Sequence, residues 1–158
     1  MFGVKSDVTN NILFVDDNYV IYPCGHNIVI YKIDDKTQRY IPGIQGSEGI
    51  TALALSANKK WLAVCEKATK AICSVYNIAQ FIAAQKEKKI FVYDQNNKKK
   101  RILVSSEYDS SRFISASFSN LNEKQIATLT GEPNYQVILW AWDKQKCIAV
   151  ADCNIIIG

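Results

Sequence analysis

The chain carries one phrase twice. Residues 49–66 read GITALALSANKKWLAVCE, and residues 112–131 read RFISASFSNLNEKQIATLTG. In each copy an alternating apolar run ends at a serine (Ser56, Ser119) and is followed by a polar turn holding Asn. A second apolar run, built on Leu62-Ala63 or Ile126-Ala127, comes next, and then after a loop a β-branched and aromatic run. Self-similarity at this spacing marks a repeat architecture, in which no unit buries its own apolar face and each stacks on its neighbours. The unit here is four short antiparallel strands, the plan of a β-propeller blade. Such a chain is expected to hold other proteins rather than to transform a substrate.

Four strands are predicted before the first copy, at 11–15, 19–22, 28–33 and 38–41. Turn formers separate them (Asp16-Asp17-Asn18, Pro23-Cys24-Gly25-His26-Asn27, Asp34-Asp35-Lys36), and connections this tight force antiparallel neighbours. They make a first blade over 8–43. A second blade covers 49–106, with strands at 50–55, 61–65, 71–76 and 101–104. Within it, Ile72-Cys73-Ser74-Val75-Tyr76 and Ile90-Phe91-Val92-Tyr93-Asp94 both resemble a third strand. Taking 71–76 as that strand makes 78–98 an insertion, in which Ile78, Phe81, Ile82 and Gln85 fall at helical spacing for about two turns. A third blade spans 112–153, with strands at 113–118, 125–129, 136–142 and 146–151, and Trp140 and Trp142 on one face of the third of them.

Propellers close with typically four to eight blades, and three leave unpaired edges and an uncovered apolar face. Further blades or another chain are therefore expected to complete the ring. The composition fits a globular domain: 158 residues, 48% hydrophobic and 22% charged. No window approaches the roughly 18 apolar residues of a membrane span, and the N-terminus has no apolar signal stretch, so no membrane partner is expected. Five cysteines, odd in number and set in strand-like runs, read as free thiols of a reducing, intracellular compartment.

The third strands hold the WD-repeat signature in eroded form: Tyr31 in blade one, Tyr76-Asn77 or Tyr93-Asp94 in blade two, and Trp142-Asp143, the literal match, in blade three. Trp140 accompanies them. The fold class that follows is all-β, with WD40-type β-propeller blades in an incomplete ring and a short helical insertion in the second blade. The order of more idiosyncratic fragments is more specific. Phe2-Gly3-Val4, Asn10-Asn11-Ile12, Tyr22-Pro23-Cys24-Gly25, Tyr40-Ile41-Pro42-Gly43, Ala52-Leu53-Ala54-Leu55-Ser56, Phe113-Ile114-Ser115 and Trp140-Ala141-Trp142-Asp143-Lys144-Gln145-Lys146 occur in sequence. In these the chain resembles the start of the cilia- and flagella-associated protein 57 family, WD-repeat proteins of motile cilia. The resemblance implies a non-enzymatic structural adaptor in the axoneme. Its implied partners are the doublet microtubule, the inner dynein arm and the nexin–dynein regulatory complex. The alternative is a general intracellular WD40 scaffold outside cilia. The resemblance also implies that residues 2–8 close the ring by pairing with a last blade.

Catalytic, metal and cofactor sites are not expected. The single histidine, His26, sits in a turn, so a nucleophilic triad has no good base. Gly43, Gly46 and Gly49 precede a strand rather than a helix, unlike a phosphate loop. Cys65 and Cys73 are too widely spaced for a zinc knuckle, and neither Asp16-Asp17 nor Asp34-Asp35 continues as a calcium loop. A net charge of +4 without a dense basic face argues against nucleic acid. The excess is local, in Lys86, Lys88 and Lys89 and in Lys98, Lys99, Lys100 and Arg101, flanking the insertion. These runs either decorate a solvated loop or attach the chain electrostatically to an acidic protein surface such as the tails of tubulin.

Overall fold

A computed structural model of the chain describes residues 7–86 and 100–153. Three four-stranded antiparallel sheets follow one another along it, each made of consecutive strands. The first holds β1 (Leu13–Phe14), β2 (Tyr19–Cys24), β3 (Asn27–Lys32) and β4 (Thr37–Pro42). The second holds β5 (Gly49–Leu55), β6 (Trp61–Lys67), β7 (Ile72–Asn77) and β8 (Lys100–Leu103), and the third β9 (Phe113–Phe118), β10 (Gln125–Thr130), β11 (Gln136–Ala141) and β12 (Lys146–Asp152). This is the expected all-β set of propeller-like blades in an incomplete ring. A helix, α1 (Ile78–Lys86), interrupts the second sheet between its third and fourth strands. The third strand of that sheet is β7; residues 90–94 lie outside the described residues.

The repeated phrase is a repeated turn. At the first copy the Ser56 hydroxyl accepts the Trp61 amide at 3.0 Å and donates to Asn58 Oδ1 at 2.6 Å, while that oxygen takes the Lys60 amide at 3.0 Å. At the second, Ser119 Oγ accepts the amides of Leu121 and Asn122, and Asn122 Oδ1 accepts that of Lys124 at 3.0 Å. Serine and asparagine oxygens here replace backbone partners that a tight reversal removes. Between β2 and β3 the loop is two residues, with Gly25 at φ +60° in its first central position, where a side chain would be strained. Asn77 caps α1 by accepting the Gln80 amide at 3.1 Å, and the helix turns Ile78, Phe81 and Ile82 into the core, as their spacing predicts.

Burial follows the strand period, so each sheet has a side facing the preceding sheet (its back) and a side facing the next (its front). The front of the first sheet, with Tyr19, Ile21, Ile28, Ile30 and Ile41, packs on the back of the second, with Leu53, Leu62, Val64 and Tyr76. The front of the second has small residues at its centre (Ala52, Ala54, Ala63, Cys65, Cys73), with Trp61, Val75 and Leu103 around them. It receives Phe113, Phe118, Trp140 and Trp142 from the third. Interdigitating large with small side chains is how two pleated faces reach close packing. No helix among the described residues is long and apolar enough to cross a membrane.

One expectation, the end of the third strand at Trp142, is corrected, while the ring-closing pairing expected of residues 2–8 lies mostly outside the described residues. The chain entering the first sheet pairs with the inner strand of the second: Thr9 forms a parallel bridge with Ala52, donating its amide to Thr51 O at 3.1 Å and accepting that of Leu53 at 3.0 Å. Val8 is buried beside it in the first seam, whereas residues 2–6 lie outside the described residues. The third strand of the third sheet stops short of Trp142. Residues Trp142–Lys144 form one 3₁₀ turn, closed by Gln145 in the left-handed conformation (φ 52°), which sends the chain directly into β12. Trp142 reaches the core from that turn rather than from the strand.

Candidate functional site

Strand register shows which aromatic positions correspond. Val20 pairs with Tyr31 in the first sheet, Leu62 with Tyr76 in the second and Ile126 with Trp140 in the third. On their other side Val20, Leu62 and Ile126 pair with Phe14, Leu55 and Phe118, the last or near-last residues of the inner strands. Tyr31, Tyr76 and Trp140 are thus equivalent, each sending a ring out of the back of its sheet. Trp142 and Asp143 lie beyond this position, so the literal Trp-Asp pair is not the structural counterpart of Tyr31 and Tyr76. Tyr93 lies outside the described residues. Asp143 is half-buried, and the turn it sits in is closed by the Gln145 amide on Trp142 O at 3.2 Å.

The seam between the second and third sheets is the most aromatic part of the molecule. Trp140 is fully buried, donates from Nε1 to Thr128 Oγ1 at 2.9 Å and meets Tyr108 and Phe113 edge-on. Trp142 lies over Trp61 with ring centroids 4.6 Å apart and donates from Nε1 to Glu123 O at 2.8 Å. A cleft of about 470 Å³ opens beside the pair, lined among others by Arg101, Glu123, Lys124 and Asp143. Two cations and two carboxylates there favour a polar protein segment over a ligand of one charge. At the opposite end of the inner strands a second cleft of about 420 Å³ is lined by Asp7, Thr9, Glu48, Lys67 and Arg112. Thr9 Oγ1 donates to Ile114 O at 2.8 Å there, and Thr51 Oγ1 to Phe113 O at 2.6 Å, tying three chain segments together.

Of the basic residues flanking the insertion, Lys100 and Arg101 lie on β8, the outer strand of the second sheet, half-buried and exposed respectively. Lys86 is the last residue of α1. Lys88, Lys89, Lys98 and Lys99 lie outside the described residues, so the structure brings two of the seven to one described edge.

Two features escaped sequence reasoning. Cys65 and Cys73 face each other across β6 and β7, both buried. The thiol–thiol hydrogen bond, with burial, pushes Cys65 well above the ordinary thiol range. Eight residues of separation around a tight reversal was the signal that a spacing rule for metal knuckles ignores. The second is Glu66, a fully buried carboxylate at the end of β6. Its Oε1 accepts the Ile44 amide at 3.0 Å, while Oε2 has no hydrogen-bond partner. Gly43 makes room for it: a Cβ there would fall 2.5 Å from His26 O and 2.8 Å from Glu66 Oε1.

Burial raises the carboxyl above its ordinary range, outweighing its contacts to Ser47 and Ile44. A raised carboxyl binds its proton more tightly folded than unfolded. Its stabilising contribution is therefore complete below the unfolded value of about 4.3 and is lost as pH rises through the folded value. Glu66→Gln, which keeps an acceptor for Ile44 and removes the charge, should raise the melting temperature near neutral pH and flatten its dependence on pH. Melting curves across the acid-to-neutral range test this, and a steeper pH dependence or a lower neutral melting temperature would overturn it.

Among the described residues no group of three or more His, Cys, Asp or Glu side chains could hold a metal ion. His26 stands in the β2–β3 loop, where its carbonyl accepts the Gly43 amide at 2.8 Å.

No family model matches the chain. It is 31% identical over 153 residues to mouse cilia- and flagella-associated protein 57, a match covering 95% of this chain and 11% of that protein. It is 29% identical to cilia- and flagella-associated protein 57 C of Tetrahymena thermophila, over 96% of this chain and 11% of that protein. With cilia- and flagella-associated protein 57 A of the same organism it shares 27% identity over 100% of this chain and 15% of that protein. The chain thus spans roughly a tenth of the length of the relatives it matches. These similarities, running through nearly all of its residues, support assignment of the chain to the cilia- and flagella-associated protein 57 family.

Proposed function

We propose that the chain is a non-enzymatic structural adaptor of the motile ciliary axoneme. Its rigid, stacked sheets form a platform that helps attach or position inner dynein arms and regulatory complexes on doublet microtubules. The observation that carries this reading is the similarity along nearly the whole chain to ciliary and flagellar proteins of a mammal and a ciliate. The fold supports it: short strands joined by side-chain-capped turns give a stiff body whose clefts carry both signs of charge. Attachment includes an electrostatic component from Lys86, Lys88, Lys89, Lys98, Lys99, Lys100 and Arg101, which cluster around one insertion and meet an acidic surface.

The test is tagged expression in a ciliated cell followed by detergent extraction. Demembranated axonemes are expected to retain the chain, with release rising with salt and after removal of the acidic tubulin tails. Recovery in the detergent-soluble fraction, or a steady state outside cilia, would overturn the axonemal reading in favour of a general scaffold. Retention that is insensitive to both salt and tail removal would overturn the electrostatic component alone.

A further inference from the structure

Gly43, Gly46 and Gly49 punctuate the connection from the first sheet to the second. Gly43 donates its amide to His26 O of the first sheet at 2.8 Å, and Glu48 donates to Lys67 O of the second at 2.7 Å. Gly46 turns the chain between them at φ +85°. Residues 43–48 are half-buried or exposed along their length, so the connection is a thin cover. Beneath it lies the fully buried Glu66, and the Ile44 amide on Oε1 at 3.0 Å links cover to carboxylate.

The blade plan does not ask for an acid at this place. Cys24, Glu66 and Thr130 are equivalent, each lying on the second strand of its sheet beyond the equivalent Val20, Leu62 and Ile126. Thr130 is buried with its hydroxyl satisfied twice, donating to Asn134 O at 2.9 Å and accepting the Gln136 amide at 2.8 Å. Glu66 has one oxygen satisfied and the other without a partner. The ionisable groups that face it among the described residues are His26 from the first sheet, Tyr76 from β7, Lys100 from β8 and its strand neighbour Cys65, with the Ser47 hydroxyl above. Among the described residues neither cation forms an ion pair with it, and Lys67, its other strand neighbour, is paired with Glu48 at 3.1 Å.

We propose that Glu66 is a proton-operated latch on the joint between the first two sheets. With the carboxyl protonated, the 43–48 connection stays closed over it. With the proton lost to solvent, the connection lifts at Ile44 and lets water reach the oxygen that has no partner. The Ile44 amide serves Oε1 in either state, so the cost of charging falls on Oε2, and water offsets that cost only when the cover opens. Burial makes the carboxyl hold its proton more tightly closed than open. Closure is therefore complete below the open-state value of about 4.3 and weakens as pH rises through the closed-state value. Every group in the argument belongs to the first two sheets and their connection, and the inference does not depend on the ciliary reading.

Amide hydrogen exchange of the full chain, followed by NMR and corrected for the intrinsic rate at each pH, tests it. Protection of the Ile44 amide is expected to fall about tenfold or more between about pH 4 and pH 8. The Gln136 amide, held by the equivalent Thr130, should keep its protection over the same range. In Glu66→Gln the Ile44 amide should be equally protected at both ends of the range. Wild-type protection at Ile44 that ignores pH, that falls in step with Gln136, or that still falls in Glu66→Gln would each overturn the proposal. If Glu66→Gln fails to fold, Glu66→Thr, which installs the residue of the third sheet, makes the same comparison, and the wild-type contrast between Ile44 and Gln136 decides in any case.

Discussion

Replacing Trp140 by Ala is expected to remove about 3–5 kcal/mol of stability, the range for truncating a fully buried large aromatic side chain. The ring is wholly excluded from solvent and holds Tyr108 and Phe113 at centroid distances of 6.3 and 6.5 Å. Its removal leaves a cavity in the seam, because the alanines and cysteines at the centre of the facing sheet are fixed by their own strand ladder and cannot collapse into the space. It also strands the Thr128 hydroxyl, itself buried, whose ring partner donates at 2.9 Å. Since whole domains are stable by only about 5–15 kcal/mol, the variant should unfold at a much lower urea concentration. Trp140→Phe separates the two contributions: it restores most of the packing and loses the hydrogen bond, for about 1–3 kcal/mol. Urea titration followed by circular dichroism measures both. A loss below about 1 kcal/mol for Trp140→Ala would mean that the ring does not fill the seam.

Much of the architecture is legible before any coordinates, because short strands separated by side-chain-capped turns announce themselves. Phe113–Phe118 begins and ends where alternation predicts, and Ile78, Phe81 and Ile82 at helical spacing identify α1. Strand ends are less legible. Glu66 and Lys67 extend β6 although a buried carboxylate breaks the apolar run, because the Ile44 amide and the space at Gly43 accommodate it.

The equivalence of Tyr31, Tyr76 and Trp140 is harder to read. A dipeptide motif draws attention to Trp142-Asp143, yet register is a property of paired strands and appears only when partners are known. The Thr9 pairing is hidden for a similar reason: a one-residue parallel bridge has no periodicity. The clefts join residues from sheets far apart in sequence, and no local pattern reports them.

Trp142→Ala should also be costly, at about 3–5 kcal/mol, and for a reason distinct from that at Trp140. Trp142 comes from the 3₁₀ turn, is nearly fully buried, and donates to the Glu123 carbonyl at 2.8 Å, so its loss opens the seam at the rim and leaves that carbonyl without its indole donor. Phe118 meets it edge-on at 6.4 Å, and Trp61 of the preceding sheet lies against it at 4.6 Å with the planes inclined by 53°. The Trp61 ring is half-buried, so Trp61→Ala should cost less than Trp142→Ala.

The two rings belong to different sheets, and their contact depends on the sheets being stacked as blades. The proposed platform for axonemal partners stands on that stacking. A double-mutant cycle on Trp61 and Trp142, read by urea unfolding, measures it with the separate effects of each truncation removed. Stacked blades predict a coupling of about 0.5–1.5 kcal/mol between the rings; strictly additive losses would contradict the stacking itself.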